Sequence, residues 1–263
     1  MKKALKSAAA AVAGVLMRAV PAKFLNFAVR RSLTARVRSM APEEALRFLL
    51  TIDSHVEGLL NDAAVRYDRG AHVKHRLTGY HDFFVRRIRS GERVLDIGSS
   101  RGELSADIAA RAGANLIGIE IVAEDAAIAN KRYGSPTMRF LHGDATKIES
   151  IPHLPDTVDV IVMSNVLEHL TDRAELLRRL AARCRPQRFL IRVPVFERDS
   201  WVPLRKELGL DWRCDTTHEI EYTLETFAEE MGAAGLIVDH IESRWGEIWA
   251  EVSPLTLPKT TAL

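Results

Sequence analysis

The chain has 263 residues, 47% apolar and 27% charged, with a formal net charge of +2. This composition excludes a disordered or fibrous polymer, and the length allows one α/β domain with an appendage. The two cysteines, Cys184 and Cys214, are not spaced as C-x-x-C, which excludes a disulfide framework and suits reduced thiols in the cytosol.

The near-neutral total conceals an asymmetry. Residues 1–40 hold nine Lys or Arg and no acid, whereas the rest of the chain carries 28 basic against 35 acidic side chains. Ser7 to Met17 is an apolar run of eleven behind Lys2, Lys3 and Lys6. It superficially resembles a secretory signal, but it is too short to span a bilayer, and Arg18 follows without a small-residue cleavage site. Further on, Leu25, Val29, Leu33 and Val37 recur every four residues, while Lys23, Arg30, Arg31 and Arg38 collect on another face and Arg36 interrupts the apolar side. The segment reads as a basic, partly amphipathic helix on an anionic membrane surface. A helix packed on its own domain, or a disordered tail, is the competing reading.

Residues 41–92 are expected to form a helical cap before the core. Glu43 to Tyr67 predicts one or two helices, with an apolar stripe of Leu46, Leu49, Leu50, Val56, Leu59 and Leu60. His72, His75, Tyr80 and His81 then gather just ahead of the first strand, which suits a lid over a bound ligand. Packing or surface histidines are the commoner use of such residues, and no metal site is assigned to them.

Residues 93–263 alternate strand and helix. Val94 to Ile97 reads as a short buried strand ending near Asp96, followed by the turn Gly98-Ser99-Ser100-Arg101-Gly102 into a helix. Glycines at both ends of that turn allow a backbone path closed to other residues. Three-glycine dinucleotide loops read G-x-G-x-x-G, and here the spacing is Gly98-x-x-x-Gly102. Asn115 to Ile121 forms a second apolar run, and Glu120 near its end is placed to accept ribose hydroxyls of an adenosine ligand. Met138 to Leu141 predicts a third strand, leading into His142-Gly143-Asp144-Ala145-Thr146. Asp144 reads as a ligand contact or as a cap.

Val160 to Met163 has the apolar, β-branched character of a buried parallel strand and precedes Ser164-Asn165-Val166-Leu167-Glu168-His169. A helix follows over Arg173 to Cys184, then a fifth strand over Phe189 to Val195. The insertion Phe196 to Tyr222 is long for a compact domain, as functional connections are. Trp201, Trp212, His218, Glu219 and Tyr222 within it are expected to line an acceptor pocket. Thr223 to Ala234 predicts another helix, and Leu236 to Ile241 with Glu247 to Val252 a closing hairpin turning at Gly246. The alternation implies a doubly wound α/β sheet.

Taken in order, Asp96 with its glycine turn, Glu120, Asp144 and N-x-L-E-H from Asn165 to His169 resemble the class I S-adenosylmethionine (SAM)-dependent methyltransferases. The overall likeness is to small-molecule enzymes of bacterial polysaccharide pathways. The resemblance implies a Rossmann-like, seven-stranded, mostly parallel sheet whose last strand is antiparallel. It implies SAM as cofactor, bound by Asp96, Gly98, Ser99, Gly102, Glu120, Asp144, Ala145 and Asn165. Nucleic-acid base methyltransferases usually carry a P-P-aromatic motif after the fourth strand; none is present, so no nucleic-acid partner is expected.

For a hydroxyl acceptor, His169 is the first candidate base and His218 the second, because imidazole titrates near neutral pH. His169 also reads as a residue that shapes the pocket without moving protons. Some quinone-lipid and small-RNA 2′-O-methyltransferases carry E-x-x-E-H at this point, with a later histidine, and bind a divalent cation. Here Asn165 stands in place of the first Glu, leaving Glu168, His169 and either His218 or Glu219, which weakens an oxygen-rich cation site. The leading expectation is O-methylation of a small or lipid-linked acceptor, narrowed to a sugar of a cell-surface glycan. Methylation of a quinone precursor with a divalent metal, and a non-catalytic SAM-binding protein, are the alternatives. Ser100, in place of the family's usual middle glycine, favours the last. The expected location is the cytoplasm, with contact to the inner membrane face through residues 1–40; oligomeric state is left open.

Overall fold

Two uninterrupted apolar strands set the centre of the molecule. β4 (Val160–Ser164) is buried at its first four residues and β5 (Arg188–Pro194) along its whole length, as strands covered on both faces must be. The computed structural model describes residues 18–69 and 72–255. The chain divides into two units, Met1–Leu60 and Asn61–Leu263.

Within the first unit lie α1 (Ala22–Arg38) and most of α2 (Pro42–Tyr67). Helix α1 has no fully buried residue, and α2 buries Ala45 and Leu50. The expected apolar stripe of α2 is only partly used: Leu49, Val56, Leu59 and Leu60 stay between 38% and 63% exposed. Periodicity marks an apolar stripe, but whether a stripe is buried depends on what packs against it, and most of this one is exposed. The apolar run Ser7 to Met17 lies outside the described residues.

The second unit opens with two single-turn helices, α3 (Lys74–Thr78) and α4 (His81–Val85). The sheet then builds from β1 (Arg93–Ile97), β2 (Asn115–Glu120), β3 (Met138–His142), β4, β5, β6 (Leu236–Arg244) and β7 (Glu247–Pro254) in the order β3-β2-β1-β4-β5-β7-β6. Six strands run in one direction, and β7 lies antiparallel between β5 and β6. This is the expected doubly wound, seven-stranded architecture. Helices α5 (Glu103–Ala112), α6 (Ala123–Tyr133), α7 (Arg173–Cys184) and α9 (Leu224–Ala233) supply the crossovers, with the short α8 (Trp201–Glu207) inside the insertion.

Successive strand side chains face opposite ways. Leu95, Ile97, Ile161, Met163, Phe189 and Ile191 therefore join one core with Leu176, Leu177 and Leu180 of α7 and Phe227 and Met231 of α9. Val94, Val160, Val162, Leu190 and Trp249 join the other with Phe83 and Phe84 of α4 and Leu104 and Ile108 of α5. Among the described residues no helix is long and apolar enough to cross a membrane.

Candidate active site at the carboxyl edge of the sheet

Parallel strands deliver their carboxyl ends to one edge, where ligands of open α/β sheets bind. The turn after β1 sits there under close constraint. Gly98 (φ +72°), Ser100 (φ +48°) and Gly102 (φ +87°) are all left-handed. A Cβ on Gly98 would meet Val166 Cγ2 at 2.6 Å, and one on Gly102 would meet the Phe140 ring at 2.8 Å. Both glycines are thus dictated by the protein's own packing as well as by backbone angle. Gly118 on β2 completes the arrangement, since its Cβ would strike Phe140 and Ser99. Ser99 is buried, with its Oγ lacking any partner. Ser100 adopts the left-handed path without being glycine, at a modest steric cost.

Glu120, 7% exposed, accepts the Ser100 N–H through Oε2 and the Val122 N–H through Oε1, both at 2.8 Å. The carboxylate expected to hold a ribose therefore also ties the turn to the end of β2; each oxygen keeps a second lone pair. Asp96 is more deeply placed. Its carboxylate accepts the Ser105 hydroxyl of α5 at 2.5 Å, and burial pushes its pKa up to about 7. Asp144 caps the 3₁₀ turn Ala145–Ser150, accepting the Thr146 N–H at 2.9 Å and its hydroxyl at 2.6 Å. The capping reading of Asp144 thus describes its present bonds. Ala145 follows it, partly exposed.

Gly102 precedes α5 and has no side chain to cap it, so the first N–H groups of the helix are left without a side-chain cap, and the turn leading into it is tied to Glu120 through the Ser100 N–H. An uncapped helix end and an acid with free lone pairs, joined by one short turn, suit a ligand with an anionic carboxylate at one end and ribose hydroxyls at the other. The residues fit SAM on these grounds.

The loop after β4 forms the other wall. Asn165 (φ +56°) donates from Nδ2 to Glu168 Oε1 at 2.9 Å and accepts the Arg192 guanidinium on Oδ1. Its side chain is engaged in organising this loop. Glu168 is fully buried, with Oε2 lacking any partner, and burial raises its carboxyl to about 7. The Glu168 carbonyl accepts the Glu219 N–H at 2.7 Å, which draws the insertion onto the loop. Consequently the His169 and His218 rings meet edge to face, centroids 4.7 Å apart. His169 is exposed as a residue, with Nδ1 3.0 Å from the Thr217 hydroxyl; partial burial of its ring, and next the charge of His218, lower its pKa. His218 is buried, with Nδ1 3.2 Å from Glu221 Oε1. Ligand atoms of Glu168, His169 and His218 lie within 4.8 Å of one another.

The insertion departs from its expected role at several points. Tyr222 is not a pocket residue: it is fully buried, bridges to Val195, packs on Phe227 and donates to Glu230 at 2.6 Å. Trp201 is 51% exposed, and Trp212 lies against Phe196 and Lys206. The lid residues split in a similar way. His72 reaches Asn61, and His81 pairs with Asp107 at 3.0 Å. Tyr80 and His75 turn together, rings 5.0 Å apart, and Tyr80 lies under the Arg192 guanidinium at 4.0 Å. His75 is lowered to about 4, chiefly by burial.

Arg192 is the site residue that periodicity missed. It is 7% exposed on β5, faces Glu247 at 3.4 Å and links Tyr80 to Asn165. Its signal was available, because a charge within the apolar run FLIRVPVF requires buried partners.

A family model described as a methyltransferase domain matches residues 69–241, about two thirds of the chain. The ubiquinone biosynthesis O-methyltransferase of Aeromonas salmonicida is 34% identical over 96 residues, 36% of this chain and 40% of that protein. The enzyme of the same description from Azorhizobium caulinodans is 27% identical over 179 residues, 63% of this chain and 70% of the other. For the first two curated relatives the match spans 40% and 42% of their length. Among solved structures, a methyltransferase in complex with the Haloferax volcanii Trm112 activator superposes with a TM-score of 0.57 at 16% identity, covering 74% of this chain and 97% of that one. At that identity the likeness shows the fold alone.

Proposed function

Because the chain belongs to the SAM-dependent methyltransferase family, we propose that it transfers the donor's methyl group to a hydroxyl of a small or lipid-linked acceptor. The paired His169 and His218 rings at the carboxyl edge carry this reading. When bound, SAM supplies an electrophilic methyl, so the protein's tasks are orientation and removal of the acceptor's proton. Glu120, Asp144, Ala145 and the amino end of α5 would hold the adenosyl and carboxylate ends, with Gly98, Ser99 and Gly102 shaping the turn beneath. Asp96 and Asn165 would support that cradle through Ser105 and Arg192. Glu221 faces His218 Nδ1 and Thr217 faces His169 Nδ1, which leaves Nε2 of either ring to take the proton. Their neighbours make the exposed His169 the stronger candidate.

For the acceptor, a phenolic hydroxyl of a quinone precursor is better supported than a glycan sugar. Both curated relatives compared above are described as ubiquinone biosynthesis O-methyltransferases, and the geometry adds no contact peculiar to a sugar. The associated cation reading draws support from Glu168 Oε2, buried without a partner beside two imidazoles. Asn165 counts against it, offering an amide already engaged by Arg192 where a carboxylate would bind.

Transfer of labelled methyl from SAM to phenolic quinone precursors and to cell-envelope glycans tests the reading. His169→Ala should lower turnover roughly 10²- to 10⁴-fold, the usual range for a general base, with SAM affinity by calorimetry unchanged. Full turnover in His169→Ala and in His218→Gln would overturn the base assignment. Loss of activity on chelation, restored by magnesium or zinc, would select the cation reading.

A further inference from the structure

Helix α1 carries aromatic and cationic side chains that the transfer chemistry does not use. Phe24 and Phe27 are 64% and 61% exposed. With Lys23, Arg30, Arg31 and Arg38 they recur at intervals of three, four and seven residues, and so occupy one side of the helix. No carboxylate pairs with these four cations among the described residues; on α1 it is Arg36 that reaches one, Glu44 at 4.0 Å. The apolar repeat on the other side is partly covered at Leu33 and Val37. The exposed aromatic pair therefore sits within the basic face, not opposite it.

We propose that α1 is a docking element for an anionic lipid bilayer, with Phe24 and Phe27 entering the acyl boundary while Lys23, Arg30, Arg31 and Arg38 meet lipid phosphates. Charge complementarity selects the surface, since residues 1–40 contain no acid to repel it. Aromatic burial supplies the part of the affinity that salt does not screen. A nucleic-acid duplex would engage the cations but give the two rings no apolar phase to enter. Length sets the mode: 17 residues with this many charges lie on a bilayer and do not cross it. The proposal is independent of which acceptor the enzyme methylates.

Co-sedimentation of the full chain with phosphatidylcholine vesicles, with and without phosphatidylglycerol, tests it over a salt series. Binding is expected with the anionic vesicles alone and should weaken as salt rises. Replacing Lys23, Arg30, Arg31 and Arg38 with Gln should cost roughly fivefold in partition coefficient per cation. Phe24→Ser with Phe27→Ser should cost roughly tenfold or more with every charge kept. Unchanged circular dichroism and SAM affinity will show that these surface variants still fold. Equal binding to neutral vesicles, no binding, or parental binding by the double Phe variant would overturn the proposal. Stronger capture of duplex RNA in the same salt series would do so too, and would assign the basic face to nucleic acid.

Discussion

Asp96 has a defined consequence of its own. Burial raises its folded-state pKa to about 7, above the value of about 3.9 expected in an unfolded chain. For an acid shifted upward, the stabilising contribution is complete below the unfolded pKa and is lost as pH rises toward the folded one. Asp96→Asn keeps an acceptor for the Ser105 hydroxyl without a buried charge. The variant should therefore melt a few degrees above the parent at about pH 8, with a smaller gain at about pH 5, as about 1 kcal/mol would produce in a domain of this size. An unchanged difference across that range, followed by thermal denaturation, would place the Asp96 carboxyl outside the titrating set. At the same scale, the acids Asp96, Glu120 and Asp144 were legible as strand-end residues. Their partners were not, because Ser105, the Ser100 N–H and Thr146 meet them through tertiary or loop geometry that spacing does not encode.

Among the elements, α7 was legible residue for residue, since Leu176, Leu177 and Leu180 recur on one face and bury completely or nearly so. Helix α9 was legible to within a residue, and its start has a local cause. Thr223 and Thr226 form a reciprocal capping box in which each side chain bonds the other's backbone N–H. Thr223→Ala should lower stability by about 1 kcal/mol, read as a fall of a few degrees in melting temperature with methyl transfer retained at temperatures below it. The insertion was the least legible element. Tyr222 reads equally well as a pocket aromatic or a core aromatic, and only the bridge at Val195 and the bond to Glu230 turn it inward.

Over the whole molecule, protection should follow burial. The sheet's centre is β1, β4 and β5, all nearly solvent-free, whereas β3 and β6 are edges with several exposed residues. Native-state hydrogen exchange should therefore be slowest at β4 and β5 and measurably faster at β3 and β6, because edges open without unfolding the core. Equal rates across the sheet would indicate that it opens only as a unit.

Composition, periodicity and glycine placement by themselves determined the doubly wound fold class and most of the order of strands and helices, because each reports local backbone preference and burial. Tertiary structure alone decided that His169 meets His218 across 48 intervening positions of chain, that Arg192 bridges Tyr80 and Asn165, and that Phe24 and Phe27 stay uncovered. These are facts about which surfaces meet. Such meetings depend on how all the strands and loops pack together, a quantity that no single segment carries.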